Sequence, residues 1–162
     1  MALAHPFEPI IDKNSKVLIL GTFPSIKSCE NSFYYGHPQN QFWKILASLF
    51  HEEIPHTIEE KREFLQRYNI ALWDMVKRCK RENSLDTSLK NIEVNDIAAL
   101  LQKYPNIEAL FFTGKKAQEL YEKNFSDLTI PTFYLPSPSP AYRKMSLDEK
   151  MAKWSILKKF LR

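Results

Sequence analysis

The chain's 162 residues, 44% of them hydrophobic, suffice for one continuous core, so a single domain over residues 1–162 is expected; Lys plus Arg exceed Asp plus Glu by 23 to 19, which permits an anionic partner without requiring one. Cys29 and Cys79 lie far apart and outside any CxxC, which excludes a zinc ribbon or a four-cysteine iron-sulfur cluster and reads as two reduced thiols. No apolar run approaches the ~18 residues of a membrane span and Met1 to Pro9 lacks the apolar stretch of a signal peptide, so a soluble, cytoplasmic protein with no membrane partner is expected.

Along the chain, Lys16 to Leu20 is a short apolar run closed by Gly21. Ile70 to Trp73, Ile107 to Thr113 (closed by Gly114) and Ile130 to Leu135 (halting at Pro136) resemble it. Near-continuous apolar strands are what a parallel sheet covered on both faces requires. Helical patterns lie between them: Gln39 to Phe50, with Phe42, Trp43, Ile45, Leu46 and Leu49 on one face, then Thr57 to Tyr68, Asn95 to Lys103 and Lys115 to Phe125. Ser146 to Leu161 is the last, opened by the capping box Ser146-Leu147-Asp148-Glu149 and striped by Trp154, Leu157, Phe160 and Leu161. The alternation predicts a three-layer α/β/α domain around a four-stranded parallel sheet. The polar run Lys77 to Ser84 reads as a solvated loop.

The three glycines and the prolines concentrate at strand ends. Gly21 and Gly114 directly follow predicted strands, Gly36 lies in the loop leaving the first strand, and Pro136-Ser137-Pro138-Ser139-Pro140 follows the fourth. Open α/β sheets bind their ligands at the carboxyl edge of the strands. Three loops are therefore expected to converge there: Gly21 to Ser25, Phe33 to Asn40, and Ser137 to Arg143. Their mixture of aromatic, amide and hydroxyl groups suits a planar heterocycle and a phosphodiester backbone. A phosphate-cradling enzyme is disfavoured, because no loop carries GxGxxG or GKS/GKT.

At these loops the sequence resembles the uracil-DNA glycosylase superfamily, above all its mismatch-specific and deoxyinosine (hypoxanthine) branches. Gly21-Thr22-Phe23-Pro24-Ser25 is similar to the family's first motif, Tyr35-Gly36-His37-Pro38-Gln39-Asn40-Gln41-Phe42-Trp43 to the segment after it, and Ser137-Pro138-Ser139-Pro140-Ala141-Tyr142-Arg143 to the second motif. The resemblance implies a uracil-DNA-glycosylase-like fold and a cofactor-free, monomeric and monofunctional enzyme of base excision repair. It would hydrolyse the N-glycosidic bond of hypoxanthine or uracil flipped from DNA. One departure carries weight: the family's first motif usually holds Asp or Asn before its proline to position water, and here Phe23 stands there. In the deoxyinosine branch the asparagine of the HPxN segment serves instead, which carries over to Asn40 as the catalytic residue.

An amide suffices for that chemistry. Glycosidic hydrolysis develops positive charge on the sugar and negative charge on the departing base, so a water must be placed and an anion stabilised, and no strong base is needed. Asn40 equally suits a helix N-cap. By resemblance Thr22, Phe23, Tyr35, His37 and Asp74 line the base pocket, with Tyr35 stacking on the base. Asp74 would accept the ring N–H that uracil and hypoxanthine both present; its bland alternative is a helix cap or an ion pair with Lys77 or Arg78. His37, before Pro38, equally suits holding its own loop. Ser25, Ser137, Ser139, Ala141, Tyr142 and Arg143 would meet DNA, with Ser137 standing where the family often has His or Asn. Ser84-Leu85-Asp86 resembles a segment of the deoxyinosine branch. The four histidines show no ligand spacing, so no metal is implied, and without a lysine in these loops no lyase step is expected. The rival class is a nonenzymatic binder of nucleobases or nucleic acid on the same fold.

Overall fold

The computed structural model describes residues 3–5, 7–23, 33–37, 39–80, 89–140 and 142–161. In chain order its elements are β1 (Leu3–Ala4), β2 (Val17–Gly21), α1 (Phe42–Leu49), α2 (Ile58–Arg67), β3 (Ile70–Asp74), β4 (Val76–Lys80) and β5 (Lys90–Val94). There follow α3 (Ile97–Lys103), β6 (Ala109–Thr113), α4 (Lys115–Phe125), β7 (Thr132–Leu135) and α5 (Leu147–Trp154), which runs into a 3-10 turn, Ser155–Lys159. None of these helices is long and apolar enough to cross a membrane.

Strands β3-β2-β6-β7, in that spatial order, form the expected parallel sheet. Val17 and Ile19 turn to one face with Ile70, Leu72 and Phe111, where α1, α2 and α5 cover them. Leu18 and Leu20 turn to the other with Ala71, Leu110 and Phe112, under α3 and α4. Both central strands are buried at every position, which is why they read as unbroken apolar runs. Fully buried side chains such as Phe42 and Phe111 each contribute about 1.5–3 kcal/mol through burial.

Two helix boundaries differ from the sequence pattern for local reasons. Helix α1 starts at Phe42 because the Gln41 N–H leaves the helix to donate to Pro138 O and the Phe42 N–H donates to Asn40 Oδ1. After Trp154 the last helix tightens, and Ser155 Oγ donates back to Ala152 O there, a bond that competes with α-helical geometry.

The expected solvated loop over Lys77 to Ser84 is corrected in its first half. Val76–Lys80 is strand β4 in a second, antiparallel sheet of order β1-β4-β5, with Val76 and Cys79 buried, while residues 81–88 lie outside the described set. Register shifts on β4 break the period-two pattern that would have revealed it.

The segment before β2 positions a residue for the site. Ile10 pairs antiparallel with Leu72 through two backbone hydrogen bonds and so covers the open edge of β3. Antiparallel pairing carries the preceding residues toward the carboxyl end of β3, where His5 N–H donates to Lys77 O. At that same end the chain, having left β2 for β3 on one side, returns to β6 on the other side of β2. The loops after β2 and β6 therefore diverge around a crevice, the usual ligand position in such sheets.

Candidate active site at the carboxyl edge of the sheet

Three neighbouring strands end in Asp74, Gly21 and Thr113, and Gly21 is directly paired with Asp74. A Cβ on Gly21 would stand 2.6 Å from Asp74 Oδ1, 3.0 Å from Tyr35 Oη and 3.3 Å from Thr113 Oγ1. A carboxylate and two hydroxyls thus close over Gly21, which leaves no room for a side chain there, and Tyr35 Oη and Thr113 Oγ1 are hydrogen-bonded at 3.1 Å. Gly114 is required for another reason: its φ of 113° is accessible chiefly to glycine, while the nearest foreign atom a Cβ would meet, Ser137 Cβ, is 3.9 Å away.

Asp74 is 5% exposed and held from two sides. Its Oδ2 lies 2.7 Å from His5 Nε2, and its backbone oxygen accepts from Asn95 Nδ2 at 2.8 Å. Neither Lys77 nor Arg78 supplies the ion pair, and no helix starts at Asp74; the partner is His5. His5 Nδ1 lies 2.8 Å from Phe7 O and 3.1 Å from Phe7 N, so both ring nitrogens are engaged. Phe7, Phe23 and Tyr34 surround the His5 ring at 5.7–5.8 Å. Phe23, which occupies the water-positioning place of the first motif, is therefore a wall of the His5 cage. Burial, and then the nearby Asp74 carboxylate, hold the Tyr34 phenol far above its usual pKa, and its hydroxyl donates to Glu8 O.

Tyr35 adopts a left-handed backbone conformation, φ 53°, that costs a tyrosine of order 1 kcal/mol or more. Tertiary contacts hold it: one ring face lies on Phe42 at 3.9 Å and 2° between planes, and the hydroxyl reaches Thr113. Asn40 is half-buried, and its Oδ1 accepts the Phe42 N–H at 2.9 Å. That bond realises the capping alternative one residue ahead of the N-cap Gln41, fixes the amide orientation, and leaves the oxygen's second lone pair for another donor. His37 Nδ1 accepts from Gln39 N–H at 3.0 Å and its carbonyl accepts from Asn40 N–H, so His37 shapes the turn that presents Asn40.

The loop after β7 is tied to this segment. Pro138 O accepts from Gln41 N–H at 2.9 Å, Ser137 Oγ accepts from Ser139 N–H, and Trp154 Nε1 donates to Pro136 O. Lys150 of α5, only 1% exposed, donates to Gln41 Oε1 at 2.8 Å and to Ser139 O at 3.1 Å, and stands 5.4 Å from the Tyr142 ring. Burial pushes its ammonium pKa down. A lysine thus does reach the loop region, from a helix and not from the loops themselves, and both its burial and its two bonds make it a tie. Arg143 is exposed. Pro24, Ser25, Pro38, Ala141 and the segment Ser84 to Asp86 lie outside the described residues.

Thr22, Phe23, Tyr35, His37, Asn40, Asp74, Ser137 and Ser139 therefore belong to one connected set of loops at the sheet's carboxyl edge. Gln41 and Phe42, quoted in the second of these segments without a role, join them, as do His5, Thr113 and Lys150, which were not singled out by sequence. Thr113 had a signal in its place before Gly114; His5 and Lys150 had none, being lone polar residues in segments without a motif. Among the described residues no cluster of three His, Cys, Asp or Glu side chains is placed to hold a metal ion.

Residues 8–161 match the family model of the uracil DNA glycosylase superfamily. A hypoxanthine DNA glycosylase of Methanosarcina barkeri (strain Fusaro / DSM 804) is 39% identical over 92% of this chain and 94% of its own length. One from Methanosarcina acetivorans is 34% identical over 93% of this chain and 95% of its own. A solution NMR structure from Methanosarcina acetivorans, described as that of a candidate uracil DNA glycosylase, superimposes with a TM-score of 0.81 at 32% identity and covers 98% of this chain and 99% of that one.

Proposed function

Because the chain belongs to the uracil DNA glycosylase superfamily, we propose that it is a monofunctional DNA glycosylase that releases a deaminated base, with hypoxanthine as the preferred substrate. The names of the two curated relatives support hypoxanthine over uracil. The observation that carries the mechanism is the Asn40 amide, oriented by the Phe42 N–H in a segment bonded to the Pro138 loop.

The extruded base enters the crevice beyond Gly21 and stacks on the face of Tyr35 opposite Phe42, so that the parallel Phe42 ring backs it. Asp74 accepts the ring N–H of the base. Asn40 Oδ1 uses its second lone pair to orient a water toward C1′ of the sugar. As the glycosidic bond breaks, its electron pair leaves with the base, the water oxygen bonds to C1′, and the water's proton ends on the departing base; free base and an abasic site result. Ser137, Ser139, Tyr142 and Arg143 face the DNA backbone or the opposite strand, and Lys150 keeps their loop in register with Asn40. The enzyme acts as a cytoplasmic monomer.

The test is a panel of duplexes and single strands carrying one hypoxanthine or one uracil, assayed for free base and for alkali-labile abasic sites. Release of hypoxanthine ahead of uracil is expected. Tight binding of lesion DNA with no base released from any substrate would replace the enzyme with a nonenzymatic binder.

A further inference from the structure

Neither motif includes His5, yet its ring is the only described side chain bonded to the Asp74 carboxylate. We propose that His5 is a positioning residue for base selection: it holds Asp74 Oδ2 so that Oδ1 stays beside the Tyr35 and Thr113 hydroxyls at the carboxyl edge of the sheet, where it accepts the ring N–H of the extruded base. The proposal rests on the glycosylase reading above and deepens it. The substrate class it defines is bases with an N–H flanked by a carbonyl, hypoxanthine and uracil among them. Adenine and cytosine present a bare ring nitrogen at the same place and meet repulsion.

Asp74 is buried, and an isolated carboxylate at such a site is costly unless hydrogen-bonded. Among the described residues Oδ1 accepts no hydrogen bond, while Oδ2 has His5 at 2.7 Å. The backbone beneath is fixed by pairing with Gly21 and by Asn95 Nδ2 on the Asp74 oxygen, so rotation of the carboxylate itself is the remaining freedom. His5 removes it. Its own ring cannot turn: Nδ1 is engaged by the Phe7 backbone, aromatic rings flank it, and its side chain is 5% exposed. The N-terminal segment, which lies along the edge of β3 through Ile10 and Leu72, thereby becomes part of the selection machinery.

Oδ1 also has defined surroundings. The point where a Gly21 Cβ would stand is 2.6 Å from Oδ1 and within 3.3 Å of the Tyr35 and Thr113 hydroxyls. The Thr113 hydroxyl donates to Leu20 O and bonds to Tyr35 Oη, so the carboxylate oxygen is the acceptor there that an N–H requires.

The experiment compares His5→Phe, which keeps an aromatic ring in the cage and removes the donor, with His5→Gln, which restores one. Each is assayed for kcat/KM on duplexes carrying hypoxanthine or its 1-deaza analogue, in which C–H replaces N1–H. Differences in intrinsic reactivity between the two bases cancel when the same ratio is compared across variants. Wild type should prefer hypoxanthine by about tenfold or more, the worth of a hydrogen bond to a charged acceptor. His5→Phe should lower that ratio about tenfold from the wild-type value, and His5→Gln should recover most of it. Equal losses on both bases, leaving the ratio intact, would reduce His5 to a structural residue and overturn the proposal. If wild type releases neither hypoxanthine nor uracil, the glycosylase reading itself fails, a result distinct from an unchanged ratio in an active enzyme.

Discussion

Replacing Asn40 separates two roles that the structure superimposes on one side chain. Its Oδ1 accepts the Phe42 N–H at 2.9 Å, so Asn40→Ala removes the bond that opens α1. Loss of a side-chain cap costs roughly 1 kcal/mol, which in a chain of this size lowers Tm by about 2–4 °C. Removing one preorganised polar group from a reacting centre costs far more in rate, about 10²–10³-fold. Asn40→Ser divides the two effects, because the serine hydroxyl caps well but is too short to keep a water where the amide held it. The assay is single-turnover release of hypoxanthine from a duplex with one lesion, run beside thermal denaturation. Alanine should lose both properties, and serine should recover Tm while staying slow. A serine variant as fast as wild type would show that Asn40 only caps a helix, and an alanine variant at full rate would remove it from the mechanism.

Gly21→Ala forces a Cβ to 2.6 Å from Asp74 Oδ1 and should lower kcat/KM on lesion DNA at least tenfold by displacing that carboxylate, at an overpacking cost of about 1–3 kcal/mol; unaltered base release would mean the placement of Asp74 Oδ1 does not matter to the base. Arg143→Ala, at an exposed position, should weaken DNA binding and reduce the slope of log K against log salt by about 1. The same slope in both proteins would exclude a phosphate contact. Acid stability should depend on Glu52, whose pKa is held below the ordinary carboxylate value first by the Tyr68 hydroxyl and then by Arg67, against desolvation. A depressed carboxylate stabilises above its unfolded pKa, about 4.3 for glutamate, and that stabilisation is lost as pH falls through the lower folded value. Tyr68→Phe should therefore flatten the acid limb of Tm against pH; an unchanged limb would place the acid sensitivity elsewhere.

Legibility in the sequence followed how each element is buried. Strands covered on both faces must be apolar at every position, and Val17–Gly21 and Ala109–Thr113 were visible for that reason. Strand β4 has only one buried side and two register shifts, so Val76-Lys77-Arg78-Cys79-Lys80 carries neither a continuous nor an alternating signal. Asn40, Tyr35 and the Ser137 loop were found because they fall in motifs with a recognisable order. His5 was not, because its role depends on a long-range antiparallel bridge between Ile10 and Leu72 that no local pattern encodes. Lys150 sits in a helix whose charged residues otherwise point outward, and only the approach of the Pro138 loop from elsewhere in the chain buries it.

The distribution of buried polar groups shows where stability has been given up. Of the six buried polar or charged side chains among the described residues, Thr22, Asp74, Asn95, Thr113 and Lys150 lie at the site end of the molecule; the sixth, Ser15, precedes β2 at the other end. Lys150 is the extreme case, an ammonium with no carboxylate within 4 Å among the described residues, held by two neutral oxygens and the Tyr142 ring. Burying a charge on neutral partners costs more than a well-packed apolar side chain of similar volume, and methionine is close in length to lysine without the charge. Lys150→Met should therefore keep or raise Tm. It should also loosen the Ser139 loop from Gln41, leaving the Gln41 N–H to Pro138 O bond to align the two, and so slow single-turnover base release. Opposite signs for stability and rate mark a residue retained for geometry at the reacting centre. If rate and Tm fall together in proportion, Lys150 is simply part of the core, and the loops are aligned by the Gln41 to Pro138 bond alone.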